Sequence, residues 1–229
     1  RLRSRGLGDV YKRQQFSFSV AATPPFSLFD NKDYASMTDQ DPDKFKMIEY
    51  HKWKFKAKVF SPLAPISVKR TPVLMTRAEF GFLGTYNKHK RSPFETFYMG
   101  GDGMSGYSST YATETIGLRG YENGSIAGNG GYNSYGYAYS RLSMELRYPF
   151  LLEPSSTIYG LVFVEAGNAW RDLKDFNPFQ LKRSAGVGVR IFLPMIGLMG
   201  IDWAYGFDRP DGYDQRGGSN FHFIIGQEF

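Results

Sequence analysis

The chain contains no cysteine and only three histidines in 229 residues. The first absence excludes a disulfide framework, thiol chemistry and any cysteine-held metal. The second leaves His51, His89 and His222, spread too widely for a metal-ligand pattern, so no metal site is assigned. A long apolar run is missing too. The best stretch, Ile191 to Ile201, is interrupted by Pro194 and Gly197, and a membrane-crossing helix needs roughly 18 apolar residues. A helical membrane protein is thereby excluded. A β-barrel is not, because barrel strands are short and half polar.

Charge of one sign is also scarce, once the start of the chain is set aside. Residues 1–14, "RLRSRGLGDVYKRQ", carry Arg1, Arg3, Arg5, Lys12 and Arg13 against Asp9 alone. No apolar segment follows, so this is not a signal peptide. "GLGDVYKRQ" resembles translated sequencing adapter at the broken end of a metagenomic read. We expect 1–14 to be non-native; the alternative is a basic arm. Of 28 basic and 22 acidic residues, 23 and 21 then remain, a net charge of +2. That balance gives no support to nucleic-acid binding. Catalytic and cofactor motifs are equally poor. "GDGMSG" (Gly101–Gly106) fits G-x-G-x-x-G but no helical pattern follows it. "DQDPD" (Asp39–Asp43) resembles the start of a calcium loop, yet Lys44 stands where glycine is required. No enzyme activity and no cofactor is expected.

What the chain has is period two. "FHFIIGQEF" (Phe221–Phe229) places Phe221, Phe223, Ile225 and Phe229 on one face. Met199–Phe207 sets Met199, Ile201, Trp203, Tyr205 and Phe207 against Gly200, Asp202, Ala204 and Gly206. Arg183–Leu193 opposes an apolar row to Ser184, Gly186, Gly188 and Arg190. Ala138–Tyr148 sets Leu142, Met144 and Leu146 against Arg141, Ser143, Glu145 and Arg147. Thr157–Trp170 places Val162 and Val164 opposite Tyr159 and Glu165, with Leu161 and Phe163 blurring the pattern. Val73–Leu83, Phe45–Phe60 and Gln15–Thr23 alternate as well, the second with Lys52, Lys54, Lys56 and Lys58 on its polar side. That lysine row is either a solvated face or a means of steering anions. About eight strands are expected, many near the 9–11 residues of a tilted membrane strand.

A soluble sandwich alternates in the same way. Two features favour a membrane barrel. Connections alternate long and short, with 24–44, 87–137, 171–181 and 208–219 on the long side, as extracellular loops alternate with periplasmic turns. Aromatics such as Tyr148, Phe150, Trp170 and Phe229 sit at strand ends, where an interfacial girdle lies. The fold class is therefore all-β, an antiparallel transmembrane β-barrel.

Six segments in order carry a resemblance. They are "PFETFYMGG" (Pro93–Gly101) leading to "LRGYENGS" (Leu118–Ser125), then "LSMELRYPF" (Leu142–Phe150), "FVEAGNAW" (Phe163–Trp170), "SAGVGVRIFLPMIGLMGIDWAYGF" (Ser184–Phe207) and the closing "FHFIIGQEF". The chain is similar to the BamA-like outer-membrane assembly factors of the bacterial surface antigen superfamily. "LRGY" (Leu118, Arg119, Gly120, Tyr121) looks like that family's V-R-G-[FY] loop motif. The resemblance implies that 15–229 is the C-terminal half of a sixteen-stranded barrel. It implies that the 87–137 loop folds into the lumen, where Glu145 and Glu165 are the carboxylate partners of Arg119. It also implies a C-terminal signal strand bearing Phe221, Phe223, Ile225 and Phe229. The implied setting is the outer-membrane bilayer, with unfolded outer-membrane proteins as substrates and with periplasmic domains and accessory lipoproteins as partners. The implied activity is non-covalent insertion of barrels. A secretion pore of the same superfamily is the alternative, and a soluble β-sheet binding protein a third reading.

Overall fold

The structure, a computed structural model, describes residues 14–38, 40–65, 70–103, 114–126, 135–153, 156–194 and 197–225. The adapter-like residues 1–13, together with Asp39 and Phe229, lie outside them. One antiparallel sheet of eight strands dominates. Its members are β1 (Gln14–Ala22), β2 (His51–Pro62), β3 (Val73–Gly84), β6 (Ala138–Glu153), β7 (Ser156–Trp170), β8 (Lys182–Leu193), β9 (Gly197–Gly206) and β10 (Gly218–Ile225). Each pairs with the next along the chain, in the order β1-β2-β3-β6-β7-β8-β9-β10, and the sheet is open, with β1 and β10 at its edges. The segment between β3 and β6 contains two short strands, β4 (Phe97–Met99) and β5 (Glu114–Ile116), paired parallel to each other.

Register turns the period-two pattern into rows. Leu146, Val162, Val187, Trp203 and Phe221 stand side by side across five strands. All five are exposed, so this row turns an apolar surface outward. The opposite face is covered by the β3–β6 loop and is polar. One of its rows runs Val73, Arg147, Leu161, Gly188, Asp202, His222. A water-soluble sheet shows the reverse, burying its apolar face and wetting its polar one. Apolar outside and charged inside is the pattern of a sheet whose outer solvent is hydrocarbon.

Small residues on β8 have a steric reason. A Cβ at Gly188 would lie 1.7 Å from a carboxylate oxygen of Asp202, and one at Gly186 2.5 Å from the Phe163 ring. Both side chains lean across β8, and only glycine leaves them room.

Three boundaries differ from the sequence pattern. β2 begins at His51 rather than Phe45, because the residues before it serve the loop: Glu49 accepts bonds from the Ser27 amide and hydroxyl. β6 runs on to Glu153, past a register shift between Pro149 and Leu151. Proline cannot donate to the ladder, and the shift absorbs it. On β7, Leu161 and Phe163 do not blur the alternation. They belong to the inner face with Tyr159 and Glu165, all buried, while Val162 and Val164 point outward.

Spin labels at Trp203, Tyr205, Phe221 and Phe223 should be quenched by a lipid-soluble relaxation agent. Labels at Glu145, Glu165, Arg190 and Asp202 should respond to a water-soluble one, or to neither. Equal response of the two sets would refute the assignment of faces.

Candidate functional site

Three arginine–carboxylate pairs line the inner wall. Arg147 donates to Glu145 through Nη2 at 2.7 Å and Nε at 2.9 Å. Arg141 Nη2 donates to Glu165 at 2.8 Å. Arg190 donates to both oxygens of Asp202, at 2.5 and 2.6 Å. Arg77 and Glu79 stand beside them, so on β3 and β6–β9 four arginines face four carboxylates, with the lysine row of β2 on the same face. Pairing is required here, because an isolated buried charge would cost many kcal/mol.

Arg119 enters from the loop as a further cation among carboxylates that already have arginine partners. Its Nη2 donates to Glu145 Oε1 at 2.6 Å and to Glu165 Oε1 at 2.7 Å, and its Nη1 to Asp202 Oδ2 at 2.9 Å. The guanidinium carbon lies 3.5 Å from the centroid of the Phe163 ring, a stacked cation–π contact. The residue is wholly buried. Burial opposes its charge, but Glu165, Glu145 and Asp202 more than offset that and raise its pKa. A planar fork reaches three carboxylates at once, which an ammonium on a flexible stem matches poorly.

The backbone of the motif is held as firmly. Arg119 N–H donates to Glu165 Oε2 at 3.0 Å, and Gly120 N–H to His222 Nε2 at 2.9 Å. Gly120 C=O accepts from Asn220 Nδ2 at 3.0 Å, and Leu118 N–H donates to the Gly101 carbonyl. Gly120 has φ of +88°, and a Cβ there would sit 2.9 Å from both the Gly206 nitrogen and the Ser184 Cβ. Glycine is therefore required twice, for conformation and for clearance. The Tyr121 hydroxyl donates to the Arg183 carbonyl at 2.6 Å, and burial pushes its pKa up to about 12, so it stays a neutral donor. Around the motif the loop has an apolar core of its own. Leu118, Tyr121, Phe97, Met99 and Ile126 pack with Leu83, Tyr139 and Ala169 of the wall.

The structure thus brings Leu118, Arg119, Gly120 and Tyr121 together with Glu145 and Glu165. Phe221, Phe223 and Ile225 stand apart on the outer face of β10, and Phe229 is outside the described residues. Sequence reasoning missed Asp202 as a third partner, and also Arg141, Arg147, Arg190, His222 and Asn220. Their signal was parity: each occupies an inner row. The lysine row of β2 is partly committed as well. Lys52 reaches Glu95 and Glu114 at 3.1 and 3.0 Å, and Lys54 reaches Glu114 at 2.9 Å.

A family model described as "Omp85 superfamily domain" matches residues 41–229. Among solved structures, the chain is similar to "The crystal structure of BamA from Haemophilus ducreyi lacking POTRA domains 1-3", with a TM-score of 0.50 and 19% identity. That match covers 76% of this chain but only 35% of the other, so the chain spans about a third of that protein. At this identity the likeness concerns the fold alone. No curated protein matches.

Two substitutions should separate loop anchoring from wall integrity. Arg119→Ala leaves every wall carboxylate with its own arginine, so the loop should loosen while the sheet persists. Glu165→Gln weakens Arg119 and Arg141 together, and we expect it to cost more, about 3–5 kcal/mol. Proteolysis of the loop, compared with denaturant unfolding of the sheet, checks this. Equal loss of both in the two variants would contradict it.

Proposed function

The chain belongs to the Omp85 superfamily, and from that premise we propose that it forms part of an outer-membrane barrel that inserts other outer-membrane proteins into the bilayer. The observation carrying this reading is the division of the sheet: an apolar outer face and a charged inner face locked to a loop by Arg119. The activity involves no covalent chemistry. Folding a chain into lipid is slow because unpaired amides and carbonyls cannot be left in hydrocarbon. A strand edge within the membrane offers those groups partners before the incoming barrel closes. Such an edge must keep its geometry while its partner changes. The loop motif supplies that restraint, since Gly120 is bonded to His222 and Asn220 of the edge strand β10. Unfolded outer-membrane proteins are the substrates on this reading, and periplasmic domains and accessory lipoproteins of an assembly complex are the partners.

A secretion pore of the same superfamily would pass its substrate through the space on the inner side. Packing of Leu118–Tyr121 onto the wall, with the motif buried, favours action at the edge over passage through the middle.

In the full-length protein, Arg119→Ala should slow barrel assembly, and Arg119→Lys should restore it in part. The readout is growth and outer-membrane protein content of cells that depend on each variant. Normal assembly with Arg119→Ala would refute the proposed role of the motif.

A further inference from the structure

The outer rows of the sheet contain one charge that an apolar surface does not call for. Apart from Glu153 near the opposite end of the sheet, Arg183 is the only Lys, Arg, Asp or Glu on those rows among the described residues. It follows Lys182 at the start of β8, on the side of the long loops, and its side chain is 69% exposed. Register places Leu142, Ala166 and Arg183 in one row, with Met144, Val164, Ala185 and Tyr205 in the next. Ala166 is the smallest member of its row, so the surface dips between Leu142 and Met144 on one side and Phe207 on the other. The dip is a cavity of about 720 Å³ whose lining includes Leu142, Met144, Val164, Phe207, Arg183 and Arg216.

Asp208 also lines it and orients Arg183. Its Oδ2 accepts from Arg183 Nε at 3.0 Å and from the Arg183 amide, and its Oδ1 accepts from Nη2 at 2.9 Å. Arg183 Nη1 makes no bond to any described residue. Two guanidinium groups against one carboxylate leave the rim with a charge of +1, above an apolar floor. We propose that this notch is a binding site for one lipid of the surrounding leaflet whose phosphate-bearing headgroup has a net negative charge. An acyl chain lies over Ala166, and the phosphate bridges Arg183 and Arg216. Guanidinium is suited to phosphate oxygens. A cation on a lipid face is tolerated at the interface far better than at mid-membrane, and an anionic headgroup there supplies the counter-charge that Asp208 supplies only in part. The proposal rests on the reading of the outer face as lipid-facing.

The test uses the full-length protein in nanodiscs of equimolar phosphatidylcholine and phosphatidylglycerol, with native mass spectrometry of the lipid that stays bound. We expect phosphatidylglycerol to be enriched by about tenfold, the effect of one charge-assisted hydrogen bond. Arg183→Gln combined with Arg216→Gln should bring the ratio to parity. Arg183→Lys with Arg216→Lys should keep most of the enrichment. Ala166→Leu, which fills the notch and leaves the charges, should reduce retention of both lipids. Parity in the unmodified protein overturns the proposal, as does enrichment that survives the double glutamine variant, or lipid retention that Ala166→Leu leaves unchanged. Vesicle flotation is run alongside. A protein that does not float with vesicles overturns the lipid-facing reading and this site with it, whereas flotation with lipid parity overturns the site alone.

Discussion

A guanidinium with no water around it must be surrounded by carboxylates, and the inner face is arranged around that requirement. Three of the wall's carboxylates, Glu145, Glu165 and Asp202, already have arginine partners on the wall. Each also has an oxygen bonded to Arg119. In Glu165, Oε1 is shared with Arg141, while Oε2 takes the Arg119 amide. These three carboxylates keep their wall arginines without the loop, so the sheet does not require Arg119 for their pairing. The loop's dependence on the wall is far greater. A connection of about fifty residues loses much conformational entropy when its middle is pinned. Five polar atoms of Arg119 and Gly120 carry that pinning, together with the apolar packing of Leu118 and Tyr121.

That asymmetry explains why the anchor is ionic rather than purely apolar. An apolar plug gains stability wherever it finds apolar surface, and the outer face offers such surface everywhere. A charged fork gains only where three carboxylates converge at the right distances. Buried ion pairs contribute modestly to net stability compared with an apolar replacement, and their best-attested use is to select one arrangement over others. Here the arrangement selected is one loop register against the wall, with Gly120 passing so close to Gly206 that no other residue fits.

Much of this was legible in the chain. Parity alone assigns nearly every strand residue to a face, since the side-chain period of a strand is two and the outer rows are apolar. Parity also placed Asp202 and Arg190 inward. Leu161 and Phe163 were harder to read because an inner face was expected to be polar. They are apolar for a local reason: the Arg119 guanidinium stacks on Phe163 and needs a ring there, not a polar group. The pairing of β4 with β5 was not legible. Its strands have three residues each and lie far apart within the loop, so neither periodicity nor turn chemistry marks them. Glu145 and Glu165 came from resemblance rather than spacing. Twenty residues separate them on two adjacent strands, and only the register, which sets Ser143 beside Glu165 and Glu145 beside Phe163, brings their carboxylates to one point.

The last strand ties these observations together. His222 and Asn220 lie on the inner face of β10, and both are bonded to Gly120. Phe221, Phe223 and Ile225, on the same strand, are exposed to the outside. Besides its ladder with β9, β10 is thus tied to the loop motif by side-chain bonds on the inner face. Because His222 Nε2 accepts the Gly120 amide proton, the ring must carry its own hydrogen on Nδ1 and remain neutral for the bond to exist. The same neutrality keeps a further cation away from Arg119. Imidazole tautomer and arginine charge are thus one linked constraint, and a change at either reaches β10.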